Sequence, residues 1–385
     1  MKFHDSNYVK LWKMGREGRE ILDTILKDPE LLRANHTFWT TKFAVDPQIT
    51  PTNAEGEAIF KSTMRPLTTG SLMDMRAPLG DSIVEDKKGM AYYTGVIPDF
   101  ITKGTVEKAT ERWHKEKLFD QFGDARLIAM YVTDVLQGKL DSANQTLSHM
   151  GAYLLSHGNL SYLVGQGIQD NLYKAAIPAE NFDTAGAGVW SDKSTKILTQ
   201  MVEKEEKFKE KWGVDMPMQW EITRKQFREE FMPNEQVIAW VKHLYEIKNG
   251  VELTTALGVT EDMAIEAIAK YPGLSPIVFI EEKQNDLVLG TVSGWKEGVA
   301  VLRPTGYAGY IRHTSILDDE IFTKFGNKAN SYNFSKTLNG LLTIMNSTVI
   351  NGNFQEWHTD GMMAAIPTLD EFLYHVIIDT TEADA

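Results

Sequence analysis

TVEKATERWHKEKLFDQFGDARLIAMYVTDVLQGKLDSANQTLSHMGAYLLSHG, residues 105–158, is the stretch on which the fold turns. Leu140, Leu147, Met150, Leu154 and Leu155 recur in it at helical spacing, an apolar stripe that must be covered by other elements. Thr105 reads as an N-cap, and Gly138 and Gly158 as C-terminal stops. The segment is therefore predicted to be helical throughout.

The chain changes character on both sides of it. Residues 44–104 carry Pro and Gly at short intervals, as in DPQITPTNAEGEAIF, MRPLTTG, MRAPLGDS and GVIPDFITKG. Between them lie short strand-like runs, Met90–Tyr93 and Val96–Ile97, so this part reads as a long excursion rich in β-hairpins. Residues 1–40 read as one or two short helices, with Leu11, Ile21, Leu22, Ile25 and Leu26 at helical spacing. They are either an arm that packs on a neighbour or an ordinary helix on the chain's own core.

Downstream, residues 191–212 predict a helix with Ile197, Met201, Phe208 and Trp212 inward. Its run KEEKFKEK reads as a solvated face. Helices over Gln236–Lys248 and Glu261–Lys270 lead into the strand-like SPIVFIEE, DLVLGTVS, GVAVLRP and AGYIRH. Helices followed by a run of strands indicate an α+β unit. Leu341–Ile350 and Phe372–Asp379 are expected as late strands, the last of them buried.

Composition narrows function. The 385 residues suit about two to three domains, or one elaborated domain. There is no cysteine, which removes disulfide scaffolds, thiolate metal sites and cysteine nucleophiles. No signal peptide and no membrane-spanning run is read in the sequence, so no membrane partner is expected. A net charge of −13, from 53 acidic and 40 basic residues, argues against a protein that reads nucleic acid.

Motifs for chemistry are thin. Gly186–Ser194 resembles a phosphate loop only loosely, because Asp192 stands where a glycine must precede the Lys-Ser pair. His358 and Asp360 form a His-x-Asp pair, two of the three ligands of a non-haem iron triad, with His375 as the one later histidine. A metal-dependent oxygenase on these residues is one alternative; a turn between strands is the plainer reading. Trp295, Trp357 and Tyr307 are core or interface anchors, and Arg303 and Arg312 form salt bridges within or between subunits. No catalytic residue, cofactor or metal is expected.

MRAPLGDSIVEDKKGMAYYTGVIPDF, ERWHKEKLFDQFG, LDSANQTLSHMGAYLLSHGNL, WKEGVAVLRPTGYAGYIRHT and NGNFQEWHTDGMMAAIPTLDEFLYHVIIDTT occur in that order over most of the chain. The ordered set resembles the major capsid proteins of tailed bacteriophages, of the Hong Kong 97-type fold, as found in phages of gut Bacteroidetes. The resemblance implies an α+β fold with an N-terminal arm (1–43) and an extended E-loop hairpin (60–104). It implies a peripheral domain with a long spine helix (105–235, completed by 346–385) and an axial domain (236–345).

It also implies a virion protein, assembled in the host cytoplasm into pentamers and hexamers that enclose double-stranded DNA without reading its sequence. Scaffolding, portal and decoration proteins are the implied partners. Leu11, Met90, Tyr92, Tyr93 and Ile97 are the expected inter-subunit contacts. Some family members weld subunits by a Lys–Asn isopeptide bond, for which Lys87 or Lys88 with Asn351 or Asn353 lie in corresponding segments. An encapsulin-like cellular shell and a phage tail or neck protein remain alternatives.

Overall fold

In a computed structural model of the chain, the described residues are 37–53, 58–64, 91–102, 105–107, 125–164, 167–212, 216–249, 258–282, 284–286, 290–315, 333–338, 340–351 and 354–383. Among them the fold is α+β, organised on one long helix. That helix, which follows a short α1 (Phe38–Lys42), is α2 (Ala125–His157), 33 residues long and so about 50 Å. Leu136, Leu140, Ala143, Leu147, Met150 and Leu154 alternate at steps of four and three along it, and all are buried.

Gly158 ends the helix at φ +71, donating its N–H to the Leu154 carbonyl. Gly138 ends nothing; α2 runs through it. Thr105 is no N-cap either. Thr105–Glu107 is strand β5, paired with Trp357–Thr359 far along the chain.

Three larger sheets accompany the helix among the described residues. β1 (Phe43–Val45) runs parallel to β14 (Gly309–His313), which pairs antiparallel with β18 (Ala365–Leu369). This small sheet lies close to α2: the Phe43 ring fills the space a Cβ on Gly151 would need, and Trp39 donates its indole N–H to Asn144 at 2.9 Å. A second sheet is built on the hairpin of β16 (Leu342–Asn351) and β17 (Phe354–Met363), with β15 (Asn333–Thr337), β4 (Phe100–Ile101) and β5 added to its flanks.

The third sheet has the order β10-β9-β13-β19-β8, from β8 (Phe182–Thr184), β9 (Met218–Thr223), β10 (Ile277–Ile280), β13 (Val299–Pro304) and β19 (Val376–Asp379). Three helices accompany it: α3 (Ile197–Trp212), α4 (Glu235–Asn249) and α5 (Glu261–Ile268). Three antiparallel pairs stand outside these sheets among the described residues: β2 (Ala58–Met64) with β3 (Ala91–Ile97), β6 (Asn159–Val164) with β7 (Gly167–Lys174), and β11 (Gln284–Asp286) with β12 (Gly290–Val292). Expected breaks at 235/236 and 345/346 do not follow the third sheet, which takes strands from both sides of each. β9 and β19 are both hydrogen-bonded to β13.

The charged run on α3 is also not wholly solvated. Lys204 and Glu205 are buried, Lys204 on Asp183 at 2.6 Å and Glu205 accepting from the Ser275 amide at 3.2 Å. Phe372–Tyr374 is a short 3-10 turn leading into β19, not the start of the strand.

Candidate functional site

The hairpin of β2 (Ala58–Met64) and β3 (Ala91–Ile97) is the most distinctive surface feature among the described residues. Its register pairs Ala58 with Ile97, Ile59 with Val96 and Phe60 with Gly95. Strand alternation sends successive residues to opposite faces. Ala58, Phe60 and Ile97 are buried, and the Phe60 ring lies over Gly95, where a Cβ would meet it at 2.6 Å. Phe60 also meets Tyr173 of β7 edge-on at 5.8 Å. One face of the hairpin base is thus anchored to its own body.

On the opposite face the pair at the hairpin base is apolar and exposed. Ile59 and Val96, a cross-strand pair, are 47% and 42% exposed, and Ile101 on the neighbouring β4 is 65% exposed. Fully burying one such side chain stabilises by about 1.5–3 kcal/mol, so this half-buried pair offers a partner about 2 kcal/mol in total. That suits a contact repeated many times, since avidity multiplies weak contacts.

The expected contact residues divide. Ile97 belongs to the core, 5% exposed, because the register turns it to the Phe60 side; the outward neighbour, Val96, is the surface residue. Tyr92 has the strand parity of Val96, and Tyr93 that of Ile97. Leu11, Met90, Lys87, Lys88 and Asn353 lie outside the described residues, and Asn351 ends β16 opposite Phe354. Ile59 and Ile101 were missed by sequence reasoning; Ala58, Ile59 and Phe60 are all apolar, so no alternation marks which of them faces outward.

Among the described residues the chemistry-bearing motifs are not assembled into a site. His358 and Asp360 lie in β17, in a strand and not in a turn. His375 precedes β19; its ring is buried and Nε2 is bound to the Leu155 carbonyl at 2.7 Å, with burial pushing its pKa down to about 4. In the Gly186–Ser194 loop, Asp192 accepts from the Ser194 amide and hydroxyl, and Trp190 is buried with its N–H on Gln200.

Arg312 pairs with Asp46 and Asp370, and Arg303 with Glu221, all within the chain. Of the aromatic anchors, Trp295 is buried, donating to the Val299 carbonyl, whereas Tyr307 is exposed.

A cleft of about 810 Å³ opens beside α1, lined by Phe38, Lys42, Gln219, Arg224, Phe279 and Arg303 among others. Its cations are committed. Lys42 and Arg303 meet the fully buried Glu221 at 2.6 and 2.8 Å, and Arg224 meets Glu261 and Glu281 at 2.8 and 2.7 Å. Burial alone would raise the Glu221 pKa, but Arg303 and Lys42 outweigh it and hold it at about 2. The cluster ties α1, β9 and β13 together instead of offering charge to a ligand.

No family model and no curated protein matches the sequence. Solved structures do. One is a putative capsid protein of a prophage of E. coli CFT073, 12% identical, covering 94% of this chain and 98% of its own, with a TM-score of 0.48. The chain's structural neighbours include phage capsid proteins. Two more are the capsid of Myoviridae phage XM1 (11% identity, 90% and 92% coverage, TM-score 0.40) and of cyanophage A-1(L) (10%, 93% and 93%, 0.41). At such identities, and with TM-scores below 0.5, the functional argument rests on the chain's own surfaces.

Proposed function

We propose that the chain is the major capsid protein of a tailed phage, a shell subunit whose work is binding copies of itself. The observation that carries this reading is the β2–β3 hairpin, docked on its own body by Phe60 and Ile97 while presenting Ile59 and Val96 outward. A closed shell needs heterologous contacts that close by rotation. A two-faced hairpin supplies one: the inner face fixes its direction and the outer face covers a neighbour.

In this reading the hairpin is the E-loop and α2 the spine helix of a Hong Kong 97-type subunit. The β10-β9-β13-β19-β8 sheet with α3–α5 is the axial domain, and the β1-β14-β18 sheet with the β16–β17 hairpin is the peripheral domain. Pentamers and hexamers of the chain form the virion shell around double-stranded DNA, assembled in the host cytoplasm with scaffolding, portal and decoration proteins. The subunit has no catalytic role.

The test is the Ile59→Ser/Val96→Ser variant, followed by sedimentation velocity and urea unfolding. Oligomers lost with the unfolding midpoint unchanged support the reading. Undiminished assembly would remove the hairpin from it.

A further inference from the structure

The backbone of residues 293–296 crosses α2 at unusually close range. A Cβ on Gly294 would stand 2.2 Å from the His149 carbonyl oxygen and 3.1 Å from the Tyr153 amide, so only glycine fits there. Two anchors hold this strap. Glu282, just beyond β10 and buried, accepts from the Gly294 amide at 2.8 Å and from the Ser293 hydroxyl at 3.0 Å. Ser156 of α2 accepts the Lys296 amide at 3.0 Å while its own hydroxyl donates to the Ala152 carbonyl.

Two histidines line the same contact. His149 Nδ1 stands 4.0 Å from Glu282 Oε1, an oxygen that accepts no hydrogen bond among the described residues. His157 is stacked on Tyr153 with centroids 3.8 Å apart, and its Nδ1 meets the Tyr153 carbonyl at 3.0 Å. Lys296 reaches Asp379 of β19 at 3.2 Å. Among the described residues, the charged groups facing the histidines are Glu282, Lys296 and each other.

We propose that this strap and the end of α2 form a proton-released clasp between the long helix and the five-stranded sheet: closed while His149 and His157 are neutral, opened when they take up protons. Burial lowers the pKa of both histidines. Glu282 opposes the effect at His149 without overcoming it; at His157 the hydrogen bond to the Tyr153 carbonyl opposes it likewise, while Lys296 and His149 add to it more weakly. The closed clasp thus binds fewer protons than the open one. Its stability is complete above the ordinary histidine pKa of about 6.5 and is lost as pH falls below it. The inference concerns one subunit and stands apart from the shell reading.

Hydrogen exchange read by mass spectrometry on the full chain tests it, with protection corrected for the intrinsic pH dependence of exchange. Between pH 7.5 and 5.5, peptides covering 290–298 and 149–158 should lose protection severalfold while the strands of β16 and β17 keep theirs. In His149→Gln/His157→Gln, verified as folded by circular dichroism at pH 7.5, the loss should vanish. The single variant His149→Gln, which should reduce the loss, serves if the double one does not fold. Gly294→Ala should expose the same peptides at both pH values. Equal protection of the wild-type strap at pH 7.5 and 5.5, or a loss that persists undiminished in the glutamine variants, overturns the proposal.

Discussion

Replacing Glu221 by Gln removes the one anion that holds two buried cations together. Glu221 is fully buried, and its Oε1 receives Lys42 at 2.6 Å, Arg303 at 2.8 Å and Gln219 at 2.7 Å. Its folded pKa of about 2, against 4.5 for an ordinary glutamate, corresponds to about 3 kcal/mol of stability. The sign follows from the depression: the contribution is whole above about pH 4.5 and is lost as pH falls toward 2. In Glu221→Gln the amide leaves Lys42 and Arg303 unpaired, which costs about 3–5 kcal/mol at neutral pH. Urea unfolding of both proteins at pH 7 and at steps from 4.5 to 2.5 reads both effects. The variant should be less stable at pH 7, and the gap should narrow toward pH 2.5. A gap under about 1 kcal/mol at pH 7, or one constant with pH, refutes the reasoning that this cluster joins α1 to the sheet.

Two glycines should respond in opposite directions. Gly138 lies inside α2, and nothing stands within 4 Å of the place an alanine methyl would take, so Gly138→Ala should stabilise by about 0.5–1 kcal/mol in denaturant unfolding. A Cβ on Gly309 would fall 1.9 Å from the Thr368 carbonyl oxygen; Gly309→Ala should cost about 1–3 kcal/mol by the same assay. Glu230 gives a dependence of opposite sign to Glu221. Burial raises its pKa to about 7 despite hydrogen bonds from Gln226 and Thr380, so its contribution is whole below about pH 4.5 and lost as pH rises through 7. Urea midpoints should therefore fall between pH 5.5 and 8.5, and less so in Glu230→Gln.

What the sequence conveyed was the local part of the design. The α2 stripe, the glycine stop at 158, the helices over 235–249 and 261–268 and the ion-pairing of Arg303 were all legible, because each depends on neighbours within a turn or on one residue's chemistry; that Arg303 pairs inside the chain was not. Thr105 misled because a partner some 250 residues away, in β17, decides its conformation. The polar alternation in β9, with Gln219 and Glu221 between Met218, Trp220 and Ile222, has the pattern of a half-exposed strand; both faces are buried, since Lys42 and Arg303 cover the polar one. At the hairpin the excursion was legible but its facing was not: Val96 and Ile97 differ by one position, and only the register settles which is the surface residue.

Negative-stain electron microscopy of the purified full-length chain, expressed alone and with a scaffolding partner, tests the central claim most directly. The account predicts capsomers, tubes or closed shells under at least one of these conditions. Monomers that persist under all of them would contradict it.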